Sequence, residues 1–176
     1  MTTMVYTELR NGDQRVHFDG ELLSSASSEH GYQGARKPRW TEISIYRTDE
    51  GKYVVSKIGK SRVVHVSMQC RIIKNNEDPF QPMDLSGGPG DMILCTNCWK
   101  RGELSKIGYL ENEHATAVPA DLPRGAVAAC YSRDQNGLWS LSWLAQDALL
   151  DACDHDPDLE AAYKNFDIGS LGRRSR

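Results

Sequence analysis

The sequence predicts an α+β fold, with antiparallel strands in the N-terminal half and helices concentrated at the C-terminus. Three observations carry this reading. An Asn-Gly-Asp stretch at 11–13 separates two strand-like runs. Residues 39–66 break into three short β-rich runs at TDEG and IGKS. After residue 138, apolar side chains recur at helical spacing.

The first two runs, MVYTELR and QRVHFDGELL, read as a hairpin, because Asn-Gly accepts the positive φ that tight hairpin turns demand. SSASSEHGYQGARKP follows and reads as a Ser/Gly-rich surface loop. The next stretch reads as a three-stranded meander, with Ile43 and Ile45 on one face and Trp40, Ser44 and Tyr46 on the other. Its IGKS is not the end of a phosphate-binding loop. Position 54 is Val where that loop needs Gly, and a strand-like run follows instead of a helix.

Residues 75–91 hold three prolines and three glycines and read as a loop. WKRGELSKIGYLENEH admits either a short helix or a turn and strand. AVPADLPRG reads as a loop and AVAACYSRD as a strand. Leu141, Leu144, Ala145, Ala148, Leu149 and Ala152 form a helical stripe. A second helix restarts with Asp156 as N-cap and Pro157 in the first turn, and IGSLGRRSR reads as a frayed tail. The expected organisation is one domain over 1–170: a sheet over 1–66, a metal-binding region over 65–98, helices over 138–167, and a basic tail at 171–176.

The 176 residues suffice for one domain with a real core. No run reaches the ~18 apolar residues of a membrane helix, and the N-terminus has no secretory character. A cytoplasmic protein is expected. Five cysteines, an odd number, argue against a disulfide framework and for metal or free thiols.

Cys95 and Cys98 form a CxxC, which is half of a zinc site or the whole of a redox site. His65 and Cys70, in VVHVSMQCRI, supply a second pair, with 24 residues between Cys70 and Cys95. Zinc takes four tetrahedral ligands, usually as two pairs on short turns. His65, Cys70, Cys95 and Cys98 satisfy that demand. This pair-loop-pair pattern resembles the zinc-ribbon and treble-clef class of small metal-binding folds over residues 65–98. It departs from their commonest form in its first pair, His-x4-Cys rather than Cys-x2-Cys. Cys130 and Cys153 read as buried core thiols. His114 reads as a solvated side chain, and His155 as a residue that helps to end a helix. A thioredoxin-like redox use of Cys95 and Cys98 remains an alternative, although it wants a β-α-β unit in front.

Three thiolates and an imidazole would close the zinc shell, so structural Zn2+ is expected. HExxH, the deaminase pattern and G-x-S-x-G are all absent. A non-enzyme is therefore expected. Charge is segregated: residues 33–76 carry ten Lys and Arg against three acids, and residues 77–172 carry six against sixteen. The basic segment 36–62 is the candidate contact for a polyanionic partner, nucleic acid above all. Its candidate contacts are Arg36, Lys37, Arg39, Trp40, Lys52, Lys57, Lys60 and Arg62. The alternative is a protein-interaction adaptor that modulates a larger complex. Oligomeric state is open.

Overall fold

The N-terminal hairpin forms where the sequence places it, on a different turn. In this computed structural model, which describes residues 4–65, 82–84, 93–94, 107–110 and 113–172, β1 (Val5–Asn11) pairs antiparallel with β2 (Gln14–Ser27). Asn11 pairs with Gln14, so the loop is Gly12-Asp13, and of these two only Gly12 has positive φ, at 59°. That is the arrangement in which glycine is wanted at the first loop position alone.

β2 runs to Ser27, through serines that composition assigns to a loop. Partners explain the difference. The Ser24 hydroxyl donates to the Ala148 carbonyl at 2.6 Å, and the Ser25 and Ser44 hydroxyls lie 3.0 Å apart across the strand pair. A bulge between Leu22 and Ser24 lets Leu23 and Ser24 both turn inward, at 7% and 4% exposed. Gly20, opposite Thr48, is required by close approach: a Cβ there would lie 2.7 Å from the Arg47 carbonyl oxygen.

β3 (Arg39–Thr48) and β4 (Tyr53–Ser61) follow as expected, with Ile43 and Ile45 buried. The meander ends there. β5 (Val63–His65) leaves for a second sheet, and β9 (His114–Ala120), whose latter half falls in a stretch read as loop, takes the place beside β4. The first sheet is curled and antiparallel, in the order β1-β2-β3-β4-β9. At the hairpin tip the Gly12 N–H donates to Ala115 O at 2.8 Å, and the Ala117 N–H to Asn11 Oδ1 at 3.4 Å.

The chain divides into two compact units. The first comprises 1–28, 42–58 and 115–176 and holds most of the curled sheet with three helices. α1 (Pro123–Cys130) occupies the AVAAC stretch read as strand; Pro123 opens it, and alanines favour it. β10 (Ser132–Arg133) and β11 (Trp139–Ser140) pair in a small hairpin. α2 (Trp143–His155) is capped by Ser142, whose Oγ accepts from the Ala145 N–H at 3.2 Å. Its predicted stripe is buried from Leu144 to Ala152, with Cys153 added. Alanines at 145, 148 and 152 let its backbone lie close to β2, which is how Ser24 reaches Ala148. The tail holds a short 3-10 turn, Ile168–Leu171.

α3 (Pro157–Lys164) begins as predicted, with Asp156 as N-cap and Asp158 and Glu160 in its first turn. Asp156 is 0% exposed. Its Oδ1 accepts from the Asp158 and Leu159 N–H groups, both at 3.0 Å. Its Oδ2 accepts from the Tyr53 hydroxyl at 2.9 Å and lies 3.3 Å from Arg47 Nη1. The core of this unit includes Ile43, Ile45, Tyr53 and Val55 of the sheet and Leu144, Leu149 and Leu159 of the helices.

The second unit comprises 29–41 and 59–114. It holds a sheet in the order β6-β8-β5-β7, with β6 at Pro82–Asp84, β7 at Ile93–Leu94 and β8 at Ile107–Leu110. β5 pairs antiparallel with β8 and parallel with β7.

Replacing Asp156 with Ala leaves buried donors without an acceptor, so urea unfolding should register a loss of about 3 kcal/mol. Tyr53→Phe, which keeps the ring, should cost about 1 kcal/mol. Burial first, then the hydrogen bond to Asp156, raises the Tyr53 pKa well above its usual 10.0. This contribution is present in full below pH 10 and is lost as pH rises through the raised folded value. The alkaline limb of stability against pH should therefore be flatter in Tyr53→Phe.

Candidate functional site

Of the four predicted zinc ligands, His65 is described, and Cys70, Cys95 and Cys98 lie outside the described residues. His65 is 0% exposed, at the end of β5 and opposite Tyr109 of β8. A fully buried histidine is uncommon. On its other side β5 pairs with β7 in parallel register, Val63 with Ile93 and Val64 with Leu94. The residue before His65 thus stands opposite the residue before Cys95 in the sequence. A parallel pair needs a crossover, here residues 66–92. Within that crossover the described residues are Pro82–Asp84, the strand β6. Among the described residues no three His, Cys, Asp or Glu side chains group as metal ligands.

The basic segment divides between the two units. Arg36, Lys37, Arg39, Trp40, Lys60 and Arg62 belong to the second, Lys52 and Lys57 to the first. In the second unit the charge converges on one carboxylate that sequence reasoning missed. Glu29 Oε1 accepts from Arg36 Nη2 at 2.8 Å, Arg36 Nε at 3.1 Å and Arg62 Nη2 at 2.7 Å. Arg62 is 5% exposed and lies 4.8 Å from the centre of the Trp40 ring. Its N–H donates to Pro38 O at 3.0 Å. A buried guanidinium needs such partners, and its planar, weakly hydrated head suits an aromatic face.

The 29–37 loop sets this geometry. Lys37 N–H donates to Glu29 O and Gly31 N–H to Ala35 O, each at 2.7 Å. Gln33 and Gly34 turn the chain with φ of 57° and 76°. The only sequence signal for Glu29 is a lone acid ahead of a glycine-rich turn and a run of cations. Arg36 and Arg39 are exposed on either side of Pro38, and Lys37 and Lys60 are half-buried.

In the first unit Lys52 lies 2.8 Å from Glu50 and 3.8 Å from Asp121. Lys57 is half-buried in β4, and its carbonyl accepts from Thr116 Oγ1 at 3.5 Å. A cleft of about 360 Å³ lies beside Lys52, lined by Phe18, Asp19, Thr48, Val54 and Pro119 among others. Acids outnumber cations at its rim. Cys130 and Cys153 are buried free thiols, as the sequence suggests. Burial pushes their pKa values up to about 12 and about 11. The Cys130 thiol donates to Ala126 O at 3.4 Å.

No helix among the described residues is long and apolar enough to cross a membrane. No protein-family model, curated protein or solved structure matches the chain.

Two expectations follow. The hydrogen bonds from Arg36, then Arg62, hold the Glu29 carboxyl below its usual 4.5. A lowered carboxyl contributes stability above pH 4.5 that is lost as pH falls through the folded value, so Glu29→Gln should flatten the acid limb. Cys130 and Cys153 should resist a thiol-specific aromatic disulfide reagent at about pH 8 in the folded protein and react fully on unfolding. Peptide mapping of the labelled chain reads both.

Proposed function

We propose that this protein is a non-catalytic protein-interaction module on a scaffold tied by structural zinc. The observation that carries the interaction reading is how the basic segment spends its charge. Arg36 and Arg62 meet Glu29, and Lys52 meets Glu50 and Asp121. Guanidiniums engaged in this way are poor phosphate ligands, because each phosphate contact would first break an existing pair. Meanwhile large apolar side chains stand at the surface of the first unit, including Leu122, Leu138 and Trp143 at 68%, 64% and 61% exposed. Exposed aromatic and aliphatic anchors are what protein interfaces use.

The zinc reading is supported by the β5–β7 register. It puts the strand that ends in His65 alongside the strand that leads to Cys95, within one sheet. His65, Cys70, Cys95 and Cys98 would hold the ion. Its role would be to add a cross-link to the short β5–β7 pairing, at the end of β5. Three thiolates would leave it little Lewis acidity.

A polyanion-binding reading keeps one support: Arg36 and Arg39 are exposed beside Pro38. Titration against short single- and double-stranded DNA and RNA decides between the readings. No measurable binding at about 50 mM salt is expected for the interaction module. Binding that weakens by orders of magnitude by about 200 mM, and is lost when Arg36, Lys37 and Arg39 become Ser, would establish the polyanion reading instead.

A further inference from the structure

The curled sheet has two edges, and they are built differently. β9 carries Pro119, a residue that cannot donate to a further strand. β1 carries neither Pro nor Lys; among the described residues its ladder is with β2 alone, and β9 meets it at its Asn11 end, where Asn11 Oδ1 accepts from the Ala117 N–H. Val5 and Tyr6, on this edge, are 56% and 64% exposed, and Met4 just before it is 48% exposed.

The two-residue turn fixes which backbone groups of β1 face outward. Asn11 and Gln14 flank that turn and so form a hydrogen-bonded pair. Alternation then gives Leu9, Thr7 and Val5 to the ladder with β2. The N–H and C=O groups of Arg10, Glu8 and Tyr6 point away from it.

We propose that β1 pairs antiparallel with β1 of a second copy of this chain, about a two-fold axis at Thr7. The occupant is chosen by register and charge. Outward-facing residues must meet outward-facing residues. Centring on Glu8 sets two carboxylates face to face, which destabilises a strand pair. Centring on Leu9 draws in Gly12, whose N–H is already given to Ala115. Centring on Thr7 sets Tyr6 against Glu8 and Met4 against Arg10 in the hydrogen-bonded pairs. Val5 then faces Leu9, and Thr7 faces Thr7, between them. No like charges meet, an apolar pair and a Thr–Thr pair share one face, and the register spans residues 4–10. The surface is isologous, as a two-fold dimer requires. The proposal is independent of the zinc and partner readings.

Light scattering coupled to gel filtration, from about 10 to about 300 µM, should find the wild type passing to a dimer. Glu8→Pro removes an outward N–H and leaves the inner ladder in place, so it should be monomeric with native circular dichroism. Under mild oxidant, Thr7→Cys should form a 7–7 intermolecular disulfide identified by peptide mass mapping, since directly opposite residues in a non-hydrogen-bonded pair lie about 4.5 Å apart. Gln14→Cys, exposed on the same hairpin but outside the register, should not. A wild type monomeric throughout, a dimeric Glu8→Pro, or Thr7→Cys coupling no faster than Gln14→Cys overturns the proposal. If Glu8→Pro does not fold, the cysteine pair of variants decides alone.

Discussion

One buried carboxylate holds the larger unit together. Asp156 ends α2, begins α3 and accepts from β4 through the Tyr53 hydroxyl, while Arg47 of β3 offsets its charge. Local and long-range structure meet in one side chain: Oδ1 satisfies two helix N–H groups, and Oδ2 faces the sheet. A carboxyl at 0% exposure would be costly without these partners. Tyr53 and Arg47 thereby tie the start of α3 to the sheet at one point. The small residues of α2 follow from it. Ala145, Ala148 and Ala152 are the side chains over which the helix can approach β2 closely enough for Ser24 to bond Ala148.

The second unit uses a related device nearer the surface. Arg62 is nearly as buried as Asp156, and Glu29 and the Trp40 ring receive it. Arg36 joins the same carboxylate from the loop before β3. Arg36 and Arg62 thus meet a lone acid from the N-terminal third, while Arg47 and Lys52 reach Asp156 and Asp121 of the acidic half. The segregation counts by residue number and says little about what faces solvent.

Legibility followed the range of the interactions involved. The start of α3 was readable because N-cap, proline and first-turn acids act within four residues. β3 and β4 were readable from alternation. The Ser24–Ser27 end of β2 was not, since its partners are Ala148 and Ser44, far away in sequence. α1 was missed because AVAAC carries no period that separates helix from strand. β9 was missed because its proline reads as a breaker, yet an edge strand tolerates one. The meander's third run was recognised as a strand but given the wrong neighbours, and strand pairing is a tertiary property. The candidate metal ligands were legible only as spacing. The seven candidate cations of the basic segment were legible, but not the carboxylate that gathers Arg36 and Arg62.

The zinc proposal rests on β5 and β7 running side by side in a register that leads to His65 on one strand and to Cys95 on the other. A metal there would secure a parallel pair whose described residues are Val63–His65 and Ile93–Leu94 and whose crossover is long. X-ray absorption at the zinc edge, on protein purified without chelator, tests this most directly. The account predicts about one zinc per chain, with three sulfurs at about 2.3 Å and one nitrogen at about 2.0 Å. Folded protein without zinc, or a zinc shell of sulfur alone, would contradict it.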